Sequence, residues 1–534
     1  MTAEIMTGTP ERRVSRRETV KVITGASVGT VLEWYDFFLY GSLAVFFSAH
    51  FFPSGSATAG YLATLATFGV GFVIRPLGAV LFGRFGDKAG RKATFLATII
   101  AMGISTAGIG LLPGFETLGW ASTILLIALR LLQGLAMGGE YGGAATYIAE
   151  HTEPGRRGYS TSWLQTTATV GFLLSLAVVL ACRATIGADD FAAWGWRIPF
   201  LSSVLILIIS VYIRATLSES PVFTRMKREN RASASPLRDT FADRANVKKM
   251  LVVLFGAQAA VAVVWYTCNF YTLYFLTSTL KLPTMLTYGY MGAALLFSLP
   301  LYIFFGWLSD RIGRKWIVLA GCALAVATLQ PIFQQLTVAV NPRLAEFQRT
   351  VKVELISGAC SRALFAAPVS DCDKARDFLT QAGISYSLTP AKSAHEPLDI
   401  RIGENRVSGF DRAALQDALD RAGYPRAADL EAVDRPMLFG LLALLMIWGA
   451  MAYAPMSAYY VELFPAKVRY TSVSVPYNVG AAYFGGLAPF MSTAFAVQSG
   501  NIYNGLWYTI IVGGASVLFG AIFLKESRGN DLSQ

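Results

Sequence analysis

Long apolar stretches separated by short polar segments dominate this chain of 534 residues. A helix that crosses a bilayer needs about 20 mostly apolar residues, and twelve stretches satisfy this requirement. They lie near 22–48, 61–83, 93–113, 119–147, 159–182, 198–214, 250–278, 284–308, 316–338, 436–461, 470–497 and 502–524. Hydrophobic residues make up 54% of the chain and charged residues 15%, which would leave a soluble protein with too much exposed apolar surface. The pattern predicts an all-α membrane protein with twelve transmembrane helices.

A short basic turn occurs twice, each time between two apolar stretches. Residues 83–92 (GRFGDKAGRK) return at 306–315 (GWLSDRIGRK), 223 residues later. A repeated turn in two hydrophobic halves is typical of transporters built from two related helix bundles. We therefore expect one six-helix bundle at 22–214 and a second at 250–338 and 436–524, joined by a linker at 215–249.

A second repeat measures an insertion in the latter half. Tyr147, Glu150 and Arg157 match Tyr459, Glu462 and Arg469 at an offset of 312, which exceeds the first offset by 89 residues. The extra residues fall at 339–435, where the apolar run stops. The pattern there predicts a small α+β fold, with strands at 351–356, 384–388 and 398–402 and helices at 372–382 and 411–422.

The distribution of Lys and Arg predicts the orientation of the chain, because basic loops stay in the cytoplasm. With both tails, 1–21 and 525–534, in the cytoplasm, the cytoplasmic segments hold 27 of the 45 basic residues and the short outer loops hold three. The insertion at 339–435 is then periplasmic or extracellular. The net charge of +11 follows from the inner loops, so it gives no reason to expect nucleic-acid binding.

Five ionisable side chains lie within predicted spans, and all are in the first half. They are Glu33 and Asp36 in the first span, Arg75 in the second, and Arg130 and Glu140 in the fourth. Each costs at least ~2.5–3.5 kcal/mol to insert. An acid buried in the membrane is protonated more easily, and a nearby arginine opposes this, so that binding of a proton to the acid and of an anion to the arginine affect each other. These residues are therefore candidates for proton coupling and substrate translocation. The alternative is that they form structural ion pairs between spans.

The second half offers aromatic and amide groups at similar depth. Trp265, Tyr266 and Asn269 lie in the seventh span, and Tyr477 and Asn478 lie in the eleventh. Such groups fit a polar or cationic ligand through hydrogen bonds and ring faces. They are candidate substrate contacts, although aromatic residues are also ordinary packing and membrane-interface residues.

The two basic turns contain candidate residues for a gate on the cytoplasmic side. They are Gly83, Asp87 and Arg91 in the first copy and Gly306, Asp310 and Arg314 in the second. Their acids can cap helix ends or pair with the arginines. Retention of basic residues in the cytoplasm is enough to explain the positive charges. It does not explain why an Asp and two glycines recur at fixed spacing.

The insertion holds two of the five cysteines, Cys360 and Cys372. In an oxidising compartment two cysteines twelve residues apart in a small domain are a candidate disulfide; the alternative is a pair of free thiols. The three histidines are too scattered for a metal site, and we expect neither a metal nor a bound cofactor.

Motifs along the whole chain resemble the metabolite:proton symporters of the major facilitator superfamily. They are EWYDF at 33–37, RPLG at 75–78, RLLQG at 130–134, GGEYGG at 138–143, WGWRIPF at 194–200, ESPVF at 219–223 and ELFP at 462–465. The resemblance implies the major facilitator fold and uptake of a small organic acid or zwitterion with a proton, by alternating access in the bacterial inner membrane. The expected partners are that solute, H⁺ and the lipid bilayer, and we expect a monomer.

Three alternatives remain open. The chain could be a facilitator or exporter without proton coupling, although intramembrane acids argue against a plain facilitator. It could be a transporter-like receptor whose insertion senses a ligand. An enzymatic role of the insertion in thiol redox chemistry is disfavoured, because its two cysteines do not form a Cys-x-x-Cys motif. We expect a transporter and not an enzyme.

Overall fold

The computed structural model describes residues 16–52, 57–89, 91–153, 155–216, 236–358, 360, 369–391, 397–465, 468–530 and 532. Helices account for most of them. In the first half they are Arg16–Ser42, Ala44–Phe51, Ala57–Val73, Arg75–Ala89, Arg91–Leu111, Phe115–Leu118, Trp120–Met137, Tyr141–Glu150, Arg157–Ile186, Ala188–Asp190 and Arg197–Thr216, with a π-helical turn at Phe191–Gly195.

The second half continues with Pro236–Ala242, Arg244–Val253, Ala259–Tyr266, Thr272–Tyr274, Thr284–Ile312, Lys315–Val340, Arg435–Tyr453, Met456–Leu463, Arg469–Val479, Ala488–Ser499 and Leu506–Phe523. Four π-helical segments interrupt it, at Leu254–Gln258, Thr267–Tyr271, Phe275–Thr279 and Gly480–Gly486. Such segments are rare in proteins and are frequent at functional sites.

Nine stretches in the described part of the chain are long and apolar enough to cross a membrane. They are Thr58–Phe82, Trp120–Glu150, Arg157–Ile186, Arg244–Thr279, Thr284–Ile312, Lys315–Val340, Arg435–Leu463, Arg469–Ser499 and Leu506–Phe523. A tenth is reached if Ala188–Gly195 and Arg197–Ile209, bent by 63°, form one span. The predicted spans at 22–48 and 93–113 fall on Arg16–Ser42 and Arg91–Leu111, which are outside this set. The count of twelve therefore stays a prediction.

The two halves meet along the helices Arg157–Ile186 and Thr284–Ile312, which pack against each other over a long contact. Gly158 and Gly306 lie where they cross, and a Cβ on either one would collide with the other glycine's carbonyl oxygen. Small residues permit this close approach of helices in membranes. Farther along, the Phe270 ring fills the junction by stacking on Phe172, with 4.4 Å between centroids.

Between Lys315–Val340 and Arg435–Tyr453 the chain leaves the bundle and forms a small α+β body, which we call the module (residues 341–434). Four strands form its sheet: β1 Val353–Ser357, β2 Ser387–Pro390, β3 Asp399–Ile402 and β4 Asn405–Ser408, in the order β2-β1-β3-β4. β1 pairs parallel to β2 and antiparallel to β3, and β3 pairs antiparallel to β4. Its helices are Pro342–Thr350, Asp371–Gln381 and Arg412–Arg421.

Local sequence explains the elements of the module. Ser370 and Asp373 form a reciprocal capping box at one helix, and Asp411 caps the next by accepting from two backbone N–H groups. β1 alternates buried and half-buried residues, as a strand covered on one face does. The strand predicted at 384–388 begins only at Ser387, and neither β4 nor the helix Pro342–Thr350 was predicted.

The module and the basic turns lie at opposite ends of the helix bundle, since the long helices between them run from one to the other. We call these the module end and the basic end. The two ends of the module itself are adjacent, because the Asp434 N–H donates to the Ala339 carbonyl oxygen at 2.8 Å.

Candidate functional site

All five ionisable residues predicted inside the first-half spans are buried. Three of them lack the ion pairs considered as their structural alternative: in the described part of the chain neither Asp36, Arg75 nor Arg130 belongs to a salt bridge with N and O within 4.0 Å. Each instead has a different set of neighbours.

Arg130 is held within the first half by neutral groups. Its Nη1 donates to Gln133 Oε1 at 2.5 Å and its Nη2 to the Phe68 carbonyl oxygen at 3.2 Å. The rings of Phe37 and Tyr40 lie 4.5 and 4.4 Å from the guanidinium, within the range of a cation–π contact. These contacts explain how a buried arginine is tolerated without an acid.

Gln133, which the sequence did not single out, connects this arginine to the first span. Its Nε2 donates to the Asp36 carbonyl oxygen at 3.0 Å and to Thr106 Oγ1 at 2.8 Å. The Asp36 carboxyl group lies beside the same threonine, while its Oδ1 has no hydrogen-bond partner in the described structure. Asp36 is thus a buried carboxyl group with no cation bound to it.

Arg75 lies at the junction of the two halves. Its guanidinium carbon is 5.5 Å from the ring centroids of Trp34 and Phe72 and 5.7 Å from that of Tyr477, in the second half. Arg75 also interacts with the Tyr477 hydroxyl. Its Nε and Nη1 have no hydrogen-bond partner among the described residues, although the side chain is about 1% exposed.

Unsatisfied buried donors are costly, and a charged group makes the cost larger. A carboxylate would satisfy one of these donors with a charge-assisted hydrogen bond, and Nη2 shares an edge of the planar guanidinium with each of them, so that the pairing can be bidentate. The rings around it also exclude water, which strengthens such a pair. The geometry therefore fits a small anion, or the carboxylate of a zwitterion.

A connected set of aromatic side chains continues from Arg75 into the second half. Tyr477 stacks on Tyr141 with 3.5 Å between ring centroids and 7° between ring planes, and its hydroxyl lies 3.0 Å from that of Tyr453. Tyr141 donates to Gln165 Oε1 at 3.0 Å, and Gln165 donates to the Tyr453 carbonyl oxygen. Tyr141, Tyr453 and Gln165 were not predicted, since their signal exists only in the assembled halves.

The other second-half candidates occupy three different settings. Tyr266 packs edge-on against Phe72, 5.1 Å away, and so lies near Arg75. Trp265 donates to the Tyr302 hydroxyl at 2.9 Å, and Asn269 donates to the Trp265 carbonyl oxygen at 2.7 Å. Asn478 instead joins the halves, because its Nδ2 donates to the Gly138 carbonyl oxygen at 3.0 Å.

Glu140 lies at the break between the helices Trp120–Met137 and Tyr141–Glu150. Gly138 at this break packs directly on the Arg75 backbone, which leaves no room for a Cβ. Of the charged candidates, Asp36, Arg75 and Arg130 differ in their described neighbours, and Glu33 and Glu140 are both buried in the first half.

At the basic end, the second basic turn contacts the opposite half directly. Asp310 accepts hydrogen bonds from the backbone N–H groups of Gly158 and Tyr159, both at 2.8 Å, at the start of the helix Arg157–Ile186. An acid is favourable at a helix N-terminus. Arg314 Nη1 bonds Asp310 Oδ1 at 3.0 Å, so this turn of the second half caps a helix of the first.

The same arginine binds a second acid through the two donors of one guanidinium edge. Arg314 Nε and Nη2 donate to the two carboxylate oxygens of Glu462 at 2.6 and 2.7 Å. Arg157, in the first half, approaches Glu462 at 3.6 Å. We call Arg157, Asp310, Arg314 and Glu462 the basic-end cluster; all four are buried.

The second sequence repeat pairs across the halves. Glu150 of the first half bonds Arg469 of the second at 3.1 Å, while Arg157 of the first faces Glu462 of the second. The equivalent residues thus exchange partners between halves. The repeat marks these residues as equivalent, but it does not show which of them pair.

The C-terminal segment closes over the cluster. Glu526 accepts from the backbone N–H groups of Arg314 and Lys315, at 2.9 and 3.1 Å, and Arg157 donates to the Asn530 carbonyl oxygen at 2.9 Å. For the first basic turn, Gly83 and Asp87 lie in the helix Arg75–Ala89 and Arg91 begins the next helix. Their side chains are outside the described residues, so their gating role stays a prediction.

In the module, Cys360 and Cys372 are joined as a disulfide, with their Cα atoms 5.2 Å apart. Among the described residues no group of three or more His, Cys, Asp or Glu side chains is arranged to hold a metal ion.

Comparison with known proteins identifies similar sequences over most of the chain. Residues 22–299 match the sugar (and other) transporter family. The shikimate transporter of Escherichia coli is 35% identical over 338 residues, covering 62% of this chain and 76% of that protein. The alpha-ketoglutarate permease of the same organism is 34% identical over 383 residues, covering 70% and 85%. The proline/betaine transporter of Salmonella typhimurium is 36% identical over 322 residues, covering 59% and 64%.

Among solved structures, the chain resembles the major facilitator superfamily proton:xylose symporter XylE bound to 6-bromo-6-deoxy-D-glucose. The TM-score is 0.59 at 17% sequence identity, and the match covers 96% of this chain and 98% of that one. At this identity the likeness concerns the fold.

Proposed function

This chain belongs to the sugar (and other) transporter family and has the fold of the major facilitator superfamily, and from this premise we propose that it takes up a small organic acid or zwitterion together with a proton. It is a multi-pass membrane transporter and not an enzyme. The observation that carries the proposal is Arg75, a buried guanidinium between the two halves with unused donors.

Arg75 is the proposed binding group for the carboxylate of the solute. The donors Nε and Nη1 are unused in the described structure, and the rings of Trp34 and Tyr477 line the same position. These rings also suit the cationic end of a zwitterion. The named solutes of the relatives, shikimate, alpha-ketoglutarate, proline and betaine, all carry a carboxylate, which supports this class.

Asp36 is the proposed proton carrier. It is buried, without a salt bridge in the described structure, and burial without a cation favours the protonated form of a carboxyl group. It lies two residues after Trp34 on the helix Arg16–Ser42, and the Trp34 ring is one of those that line the Arg75 site. Uptake would then require one proton-accepting residue and one anion-binding residue in neighbouring helices.

The basic-end cluster is the proposed cytoplasmic gate. Its members come from both halves, so the halves cannot separate at that end while its contacts last. Alternating access requires such contacts to form and break. In the proposed orientation both tails are cytoplasmic, the module is periplasmic, and the membrane is the bacterial inner membrane.

Uptake into proteoliposomes tests the proposal. Vesicles with an imposed inward proton gradient are assayed with labelled alpha-ketoglutarate, shikimate and glycine betaine. We expect accumulation of at least one of them above its external concentration, and loss of accumulation when an uncoupler is added. Uptake that only equilibrates, with or without uncoupler, indicates a facilitator and contradicts proton coupling.

A further inference from the structure

A cavity of about 390 Å³ lies between the two halves at the module end, and three parts of the chain form its wall. The first half contributes Thr58 and Tyr61, the second half contributes Tyr274 and Lys281, and the module contributes Gln381 and Tyr386. A cavity of this kind holds a small organic molecule. It is separate from Arg75, which is not part of its wall.

The module forms the ceiling of this cavity. The Tyr386 N–H donates to the Gly500 carbonyl oxygen at 2.7 Å, and the Ile502 N–H donates to Ser385 Oγ at 3.4 Å, which fixes the module to the second half. Its helix Asp371–Gln381 contacts the helix Ala57–Val73 of the first half. The ceiling therefore touches both halves.

Lys281 is the single charged side chain among the described residues of the cavity wall. It lies between the helical segment ending at Thr279 and the helix starting at Thr284. Its φ of 59° is in the left-handed region, which a residue with a Cβ rarely adopts. Such backbone strain is concentrated at binding and switch sites. Burial lowers the pKa of the Lys281 ammonium, and a bound anion would offset that cost.

Hydroxyl groups share the cavity wall with this cation, among them those of Thr58, Tyr61, Tyr274 and Tyr386. The Tyr274 and Tyr386 hydroxyls donate to the carbonyl oxygens of Gly41 and Val497. The buried Tyr61 hydroxyl has Ser278 beside it, but completes no hydrogen bond of normal geometry in the described structure. The Tyr61 hydroxyl and the Lys281 ammonium are therefore donors that suit a carboxylate, since a carboxylate accepts several hydrogen bonds.

A row of rings connects the cavity to Arg75. Tyr274 of the wall lies 6.4 Å from Phe270, and Phe270 lies 5.9 Å from Tyr266. Tyr266 packs 5.1 Å from Phe72, whose ring is 5.5 Å from the Arg75 guanidinium. The cavity and Arg75 are thus the two ends of one packed aromatic row along the seventh span.

We propose that this cavity is a second carboxylate-binding site, in which Lys281 holds the anion and the module supplies the ceiling before the solute passes along the aromatic row to Arg75. Its position as an outer site rests on the proposed function. Its affinity for a carboxylate does not, because that follows from the wall residues alone.

Charged thiol reagents test the site without any transport. Gln381→Cys is made in a Cys182→Ser background, purified as the full chain and reconstituted. Labelling rates are compared for a methanethiosulfonate bearing a sulfonate and one bearing a quaternary ammonium. We expect the ratio of sulfonate to ammonium rates to fall at least about fivefold on Lys281→Gln, since one buried charge dominates the local potential. Lys281→Arg and the exposed control Lys352→Gln should retain the ratio.

Alpha-ketoglutarate is the binding probe in the second arm. It should slow labelling at Gln381→Cys when Lys281 is present and have no effect in Lys281→Gln. An unchanged ratio, or no protection by alpha-ketoglutarate, overturns the proposal. Thr380→Cys replaces Gln381→Cys if the latter does not insert. If gradient-driven uptake fails but labelling shows the expected dependence on Lys281, the proposed function is refuted and this site stands. If uptake succeeds but labelling does not depend on Lys281, the site alone is refuted.

Discussion

At the residue scale, Arg75 and Arg130 are two buried arginines with different surroundings. Arg130 donates to a glutamine and a carbonyl oxygen in its own half and leaves its Nε without a partner among the described residues, whereas Arg75 leaves both Nε and Nη1 unused at the junction of the halves. The two unused donors and the position between the halves favour Arg75 as the proposed ligand-binding arginine. The sequence could not separate them, because both are arginines at mid-span.

Substitution of Arg75 by lysine tests its role as an anion-binding group. Arg75→Lys keeps the charge but loses the planar pair of donors. We expect the apparent KM for the transported carboxylate to rise at least about fivefold, which corresponds to loss of one charge-assisted hydrogen bond. Arg156→Lys, at an exposed loop position, is the control. An unchanged KM would make Arg75 a structural residue.

Asp36→Asn tests the proton carrier. The amide keeps size and polarity but cannot release a proton, so we expect gradient-driven accumulation to be abolished while exchange of internal for external solute persists. Membrane insertion is checked by yield and gel filtration, with Glu116→Gln as the control acid outside the site. Normal uphill accumulation by Asp36→Asn would rule out this residue as the coupling group.

At the element scale, the basic-end cluster joins a turn of the second half to the first turn of the helix Arg157–Ile186. Glu462→Gln leaves Arg314 buried without its bidentate acid, and such a loss costs about 3–5 kcal/mol. We therefore expect the equilibrium to shift towards opening at the basic end. The measurement is alkylation of Ser162→Cys, buried at the crossing of the halves, which should become at least about tenfold faster. An unchanged rate contradicts a gating role.

The C-terminal segment contacts the second basic turn next to the basic-end cluster. Partial burial raises the pKa of Glu526, but backbone N–H donors of Arg314, Arg528, Lys315 and Ser527 lower it more, so its pKa lies below the usual value. A depressed pKa means that its stabilising effect is present above the ordinary glutamate pKa and is lost as pH falls through the lower folded-state value. The contribution of Glu526 to closure of the basic end should thus not change between pH 6 and 8, because this range lies roughly two units or more above the ordinary glutamate pKa.

Glu526→Gln tests whether the Glu526 carboxylate contributes to closure of the basic end. The variant should accelerate alkylation of Ser162→Cys at pH 7, in the same direction as Glu462→Gln but by less, because Glu526 is exposed whereas Glu462 is buried. Alkylation is followed from pH 4 to 8 in both proteins. Identical profiles would show that the segment does not contribute to closure.

At the scale of the whole molecule, the sequence predicted the family, the two related halves and the position of the module. These depend on apolar length and on repeated motifs, which are local properties. The partners of Arg75, the exchange of Glu150 and Glu462 between halves, and the placement of the module over the cavity depend on contacts between distant segments. No local pattern contains them, and β4 was missed because Asn405–Ser408 is too short and polar to be distinguished from a turn.

Excision of the module tests its independence. Its two ends meet at Ala339 and Asp434, so replacement of 341–433 by a short Gly/Ser linker should leave a folded, inserted protein with at least partial uptake. Failure to insert would show that the module is required for folding of the second half.

The disulfide provides the topology test. In intact spheroplasts Cys360 and Cys372 should resist a membrane-impermeant maleimide until an impermeant reductant is added from outside. Labelling only after the cytoplasmic face is exposed would reverse the orientation assigned to every loop.

The central claim is that one proton enters with each carboxylate through Asp36 and Arg75, and proton entry measures it most directly. Proteoliposomes containing an entrapped pH-sensitive dye are given alpha-ketoglutarate, shikimate or glycine betaine without an imposed gradient. We predict acidification of the interior with at least one solute, absent in Asp36→Asn and shifted to higher solute concentration in Arg75→Lys. Solute uptake with no change in internal pH, or equal acidification in Asp36→Asn, would contradict the account.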